Sequence, residues 1–259
     1  MPFTVSHVAA VVPAYRPLAR AHVFSAAIIG SMVPDFGFLL PGSFARWQTH
    51  SFVALFSFCL PVGLLAYCLT QWLIKPAVLE VAPDGAYARL RREHPMVWGK
   101  PRVWPLAALA LLLGALTHLV WDGFTHENAR GVRLFPGLTD YGPDMAGHSL
   151  QLYRWLQYGS SVVGLVVVAA ALALWLRHAP SPQPPPARRL ARIERILWLA
   201  AYVALPLAAT LWAMLVPLSL GHSPLASGGA LGRVAIMGLR ASALSLLLIS
   251  ALIRVRLAG

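Results

Sequence analysis

Five long apolar runs, Ser51 to Ile74, Trp104 to Trp121, Trp155 to Leu176, Ile196 to Leu220 and Val234 to Ile253, set the first limit on what this chain can fold into. Coiled as α-helix at about 1.5 Å per residue, each is long enough to cross the ~30 Å hydrocarbon layer of a bilayer. A soluble core in a chain of 259 residues has no use for so much contiguous apolar surface, and 58% hydrophobic against 12% charged residues agrees with that. Inside lipid a backbone must satisfy its own hydrogen bonds, so the runs predict an all-α polytopic membrane bundle with five transmembrane helices.

Met1 to Leu40 reads differently. Pro13, Pro17 and Pro34, with Arg16 and Arg20, divide it into apolar pieces too short for a crossing, and the expectation is a partly inserted helical hairpin. The start lacks a basic stretch ahead of a cleavable apolar core, so no signal peptide is expected. Cys59 and Cys68 lie nine apart on one predicted helix and point to opposite sides, which rules out a bridge between them. Further on, HAPSPQPPPARR, His178 to Arg189, has no means of packing a core. The expected organisation is therefore a helical membrane domain over 1–176, a proline-rich cytoplasmic linker over 177–195 and a two-helix membrane hairpin over 196–259. Seven of the nine histidines and eight of the nine acidic residues precede the linker, so the chemistry belongs to the first part.

The formal net charge of +12 could point to nucleic acid, but no basic motif interleaved with aromatics is present and no nucleic-acid partner is expected. Its distribution says more. Two basic residues lie in the Arg16 to Arg20 turn, six in Lys75 to Arg102, five in Arg177 to Arg195 and two in Arg254 to Arg256, fifteen in all. The alternate connections hold five: Arg46, Arg130, Arg133, Arg154 and Arg233. The positive-inside rule then places the first set and the C-terminus in the cytoplasm and Met1 outside, with membrane lipids as partners. Lys75 to Arg102, with Pro83, Pro95 and Pro101, reads as a cytoplasmic loop with room for one short surface helix. Arg240, inside the last run, is expected to snorkel outward.

That topology gathers unusual residues. Asp35 follows Pro34 where the hairpin returns, and His50 just precedes the first span. The second span runs back and delivers His118, Asp122 and His126 at its outer end, spaced i, i+4, i+8 on one helix face. His7 joins them if the first forty residues form a hairpin. Burying ionisable groups beside hydrocarbon costs several kcal/mol each unless they are paired. An internal hydrogen-bonded network could do the pairing, and so could a divalent cation. Mixed His and Asp ligands suit zinc, manganese or iron(II) better than calcium or magnesium.

The segments FTVSH, IIGSMVPDF, THSF, LLGALTHLVWDGFTH and QLYRWLQYGSS, in this order over roughly Met1 to Leu176, resemble the bacterial membrane family designated domain of unknown function 4184. The same order is similar to the YdjM-type membrane-bound metal-dependent hydrolases and, more distantly, to the zinc-dependent phospholipase C and nuclease fold. The resemblance implies metal roles for His7, Asp35, His50, His118 and Asp122, with Asp122 bridging if two ions bind and His126 in a second metal position. In the soluble enzymes that position also takes a later His and a Glu four residues on. His148 matches the His, but Leu152 stands in the Glu place. Arg130 and Arg133 beside the site are candidate phosphate binders, although a solvated loop is the simpler reading for them.

The function expected from this is a metal-dependent hydrolase at the outer face of the bacterial cytoplasmic membrane, holding one or two zinc-like ions and acting on a lipid-linked phosphoester, with Asp122 or Asp35 orienting the attacking water. The alternative is a non-enzymatic metal-binding membrane protein, either a transporter or an assembly factor. A transport path would need polar groups reaching the cytoplasmic side, where the spans are almost wholly apolar.

Overall fold

A computed structural model of the chain describes residues 4–40, 44–84, 86–87, 90, 100–144, 149–178, 190–219 and 228–258. Among these the chain is helix and turn, with one isolated bridge between Tyr141 and Gln151 and no strand. Five helices are long and apolar enough to span a bilayer: Phe52–Val81, Val103–Thr125, Leu152–Arg177, Arg192–Trp212 and Ile236–Leu257. The fold is all-α with five membrane-spanning helices, as the apolar runs require. The N-terminal hairpin is also present, a 3-10 turn over Thr4–Ala10 followed by helices Tyr15–Arg20 and Phe24–Met32. It reverses at His22, an exposed residue with φ 60°.

The first span corrects one expectation. The expected loop with its short surface helix begins later than Lys75, because Lys75–Val81 continues the spanning helix. Pro76 lies inside this continuous helix, and the Lys75 ammonium reaches back to Gln71 Oε1. A charged residue ends a hydropathy run without ending a helix. The same span holds two widened π turns, Leu55–Cys59 and Thr70–Ile74, in which Leu60 and Lys75 donate to the carbonyls five residues back. Each lies just ahead of a proline, Pro61 or Pro76. Widening the turn accommodates a residue that can neither donate nor tolerate the usual carbonyl beneath its ring.

The described chain forms two units, one of Met1–Gly37, Phe44–Tyr67 and Met96–Ala179, the other of Phe38–Ser43, Cys68–Pro95 and Pro180–Gly259. In the first, Phe24–Met32 crosses Val103–Thr125 at very short range. A Cβ on Gly30 would lie 2.2 Å from the Leu111 carbonyl oxygen, and one on Gly114 would lie 2.4 Å from that of Ala27. Only glycine at both positions allows the backbones to meet. Around this crossing Val23, Ala26, Ala27, Ala107, Ala110 and Leu111 make the core. Gly164 does the same for the Leu152–His178 helix, since a Cβ there would meet the Ser6 carbonyl at 2.7 Å.

The second unit packs Ala77 and Val81 against Leu190, Ile249 and Ile253, and the Tyr202 hydroxyl bonds Ser250 Oγ at 2.9 Å. Here the expectation for Arg240 is corrected. Its Nε donates to the Phe38 carbonyl at 2.7 Å and its Nη2 to that of Leu40 at 2.9 Å, so the guanidinium satisfies two backbone acceptors rather than snorkelling. Paired this way, it avoids the cost of an unpartnered charge in an apolar helix. Cys59 is buried and Cys68 exposed, and neither is bonded to the other.

Because the crossing depends on backbone contact, Gly114→Ala and Gly30→Ala are each expected to lower stability by about 1–3 kcal/mol. The check is the thermal unfolding midpoint in detergent. Parent-like unfolding of both variants would contradict so close an approach.

Candidate metal centre

The glycine crossing builds the centre. By bringing Phe24–Met32 against Val103–Thr125 it sets the Ser31 carbonyl 2.8 Å from His118 Nδ1. A carbonyl only accepts, so Nδ1 carries the proton and the lone pair of His118 lies on Nε2. Pro34 then supplies no N–H, and the chain leaves the helix as a tighter 3-10 turn, Val33–Phe38, that buries Asp35. Asp122 follows His118 by one turn on the same face, also buried. His50 closes the one-turn helix Arg46–Thr49, and Ser51 caps the next helix by accepting from the Ala54 N–H at 3.1 Å. His7 comes in on Thr4–Ala10, and its ring stacks on that of His118 with centroids 3.8 Å apart.

Five side chains from four segments therefore share one small space. His50 Nε2 lies 3.3 Å from Asp35 Oδ1 and 3.5 Å from Asp122 Oδ2. His118 Nε2 lies 3.7 Å from Asp35 Oδ1 and 3.6 Å from Asp122 Oδ2, and His7 Nε2 is 3.7 Å from Asp122 Oδ1. These separations are long for hydrogen bonds. They match the edge of a tetrahedral ligand set instead, since two atoms each bonded at ~2.1 Å to one ion stand roughly 3.4 Å apart. Among the described residues two donor triplets meet the geometric requirement for a cation, His7 with His118 and Asp122, and Asp35 with His50 and His118. They share His118 Nε2, which has one lone pair, so the triplets are two views of one five-donor cluster.

Orphaned atoms point the same way. His7 Nε2, Asp35 Oδ1, His50 Nε2, His118 Nε2 and Asp122 Oδ1 are buried and have no hydrogen-bond partner among the described residues. Each such group costs about 1–3 kcal/mol if nothing compensates it. Burial, and next the neighbouring His118, press the His7 pKa down to about 4. Burial alone would raise the Asp35 pKa, but contacts with His50, His118 and Thr4 outweigh it and hold the carboxyl below its ordinary value. Around neutral pH His7 is thus neutral and Asp35 ionised, the forms that bind a cation.

The other expected site residues divide. His126 lies beside the cluster but outside both triplets. Its Nδ1 is 3.6 Å from Asp122 Oδ2 and near the Asp122 carbonyl, its Nε2 is buried without a partner, and burial lowers its pKa to about 4. Arg130 and Arg133 sit on a short helix, Arg130–Leu134, and line a cleft that Asp122 and His50 also line. His148 lies outside the described residues.

Four contributions were missed. Arg46 donates from Nη2 to Asp122 Oδ2 at 2.9 Å with its side chain 45% exposed. Thr4 Oγ1 donates to Asp35 Oδ2 at 2.8 Å, Thr49 Oγ1 meets His50 Nδ1 at 2.7 Å, and Ser31 provides the carbonyl on His118. The sequence signal for Arg46 is its place four residues before His50 in ARWQTH, one helical turn away. The carbonyl of Ser31 has no sequence signal.

No curated protein and no solved structure matches the chain. A family model does: the one described as Domain of unknown function (DUF4184) matches residues 1–251, nearly the whole length, and the motifs that carry the centre fall inside that match. The chain belongs to the DUF4184 family.

Proposed function

We propose that the chain is a membrane-bound metal-dependent hydrolase whose centre holds a zinc-like divalent ion between His7, Asp35, His50, His118 and Asp122. The observation that carries this reading is the convergence of five buried, partnerless nitrogen and oxygen atoms at ligand-to-ligand spacing. Three imidazoles and two carboxylates suit zinc first, with manganese or iron(II) as possible occupants. A second ion would use the free Nε2 of His126 and share Asp122. Loop charge supports a place in the bacterial cytoplasmic membrane with the N-terminus and the centre outside and the C-terminus in the cytoplasm.

A bound divalent ion supplies Lewis acidity and a lowered pKa for water. The chain's own groups do the rest. The Ser31 carbonyl and Thr49 hydroxyl orient two imidazoles, as outer partners of metal-binding histidines do. Asp122 and Asp35 have carboxylate oxygens from which to orient a water. Arg46 is placed to neutralise charge that develops beside Asp122. The five donor side chains are largely buried, which limits their contact with bulk water. The substrate class proposed is a lipid-linked phosphoester, in which water adds at phosphorus and the ester oxygen departs as the alcohol.

Purified without chelator, the protein is expected to contain about one zinc-like ion per chain, or two if the His126 position fills, by elemental mass spectrometry, and His118→Ala with Asp122→Ala to contain none. Absence of any ion from the parent would reject the reading. Removal of the ion from the parent is expected to lower the unfolding midpoint, and readdition to restore it, because an ion bound only by the folded state stabilises that state. The double variant should not respond. Thr4→Val, which removes the bond to Asp35, is expected to weaken metal affinity about 10–100-fold in a chelator competition. Turnover on a panel of lipid phosphates separates the hydrolase from its alternative, since a transporter or assembly factor would bind the ion without hydrolysing anything.

A further inference from the structure

We infer that the cleft beside the centre is a binding site for the dianionic phosphate of a membrane amphiphile, a lipid that ends in a phosphate monoester. This deepens the hydrolase reading by naming its substrate class, and rests on that reading for the word substrate. The binding itself stands on separate observations.

The cleft has a volume of about 550 Å³ and lies where the start of the Phe52–Val81 helix meets the end of Val103–Thr125, beside Arg130–Leu134. Three guanidiniums line it, those of Arg46, Arg130 and Arg133. Among the described residues the one acidic group in its lining is Asp122, which Arg46 already holds, so none of the described lining residues offsets the charges of Arg130 and Arg133. Neither of those two makes an ion pair among the described residues. Guanidinium is the side chain best shaped for bidentate contact with phosphate oxygens. Two free positive charges match a phosphate monoester, which carries about −1.5 to −2 near neutral pH, better than a monoanionic diester.

The rest of the lining selects the other half of the ligand. Trp47, Phe52 and Leu134 border the same cleft and are 71%, 64% and 75% exposed. Leu116, Leu119 and Val120 continue the apolar wall along the spanning helix. Apolar surface so open, at the end of a membrane span, is stable against acyl chains rather than water. A soluble phosphate would use the arginines and leave this wall bare. An amphiphile entering from the bilayer uses both, and its phosphate then lies beside His50 and Asp122.

The test is a native mass spectrometry titration of the chelator-treated, full-length protein with dioleoyl phosphatidic acid, with dioleoyl phosphatidylglycerol and with glycerol 3-phosphate. Phosphatidic acid is expected to bind at least about tenfold more tightly than either of the others, and Arg130→Gln with Arg133→Gln to erase that preference. The pair Arg130→Lys and Arg133→Lys, which keeps charge but loses the planar fork, should fall between and guards against misfolding of the Gln variant. Equal affinity for the two lipids, equally tight glycerol 3-phosphate, or an unchanged preference in the Gln variant would overturn the inference. Since no metal is present in these titrations, failure of the hydrolase reading would appear in metal content and turnover while leaving them unaltered.

Discussion

The Ser31 carbonyl lies 2.8 Å from His118 Nδ1, and the centre's chemistry depends on that contact. It decides which nitrogen of His118 holds the proton and turns the other toward Asp35, Asp122 and the neighbouring imidazoles. The contact exists because two helices touch backbone to backbone at Gly30 and Gly114, which in lipid is a main route to tight packing where water provides no drive for helices to associate. Small residues within about one turn of the donors thus hold His118 in register with Asp35, on the turn that continues the crossing helix. The same logic recurs at Gly164, which lets the Leu152–His178 helix approach the turn carrying His7.

Much of this could be read from the residues. The five spans follow from apolar length, and the shared face of His118 and Asp122 from helical period. The meeting of Asp35 and His50 with that face required only topology, because both lie where the chain turns at one end of a span. Other features had no such signal. Lys75 ends an apolar run but continues a helix, because a lysine with a long stem and a glutamine one turn back can stay in a helix that hydropathy would close. Arg240 looked free to reach an interface, yet two carbonyls of a chain segment two hundred residues earlier are its partners. Arg46 was visible as charge but not as a neighbour of Asp122, since a helix of one turn has too little period to announce itself.

A cluster of three imidazoles and two carboxylates at the end of a membrane bundle is expensive to keep without a cation, and its surroundings are polar on one side and apolar on the other. Donors are oriented by uncharged groups, Thr4, Ser31 and Thr49, which leave the cluster's charge available to a ligand. The guanidiniums stand at the cleft rather than among the donors, with Arg46 reaching between the two. This separation of the imidazole and carboxylate donors from the guanidiniums, with an apolar wall along the outside, is what the proposed action on a lipid phosphate rests on.

The central claim is that one divalent ion is held by imidazoles and carboxylates from four chain segments. X-ray absorption at the metal edge of the as-purified protein addresses it directly. The expected spectrum has a shell of nitrogen and oxygen at about 2.0–2.2 Å with the outer-shell scattering of several imidazole rings. A shell containing sulfur at about 2.3 Å, or an oxygen-only shell without imidazole scattering, would contradict it.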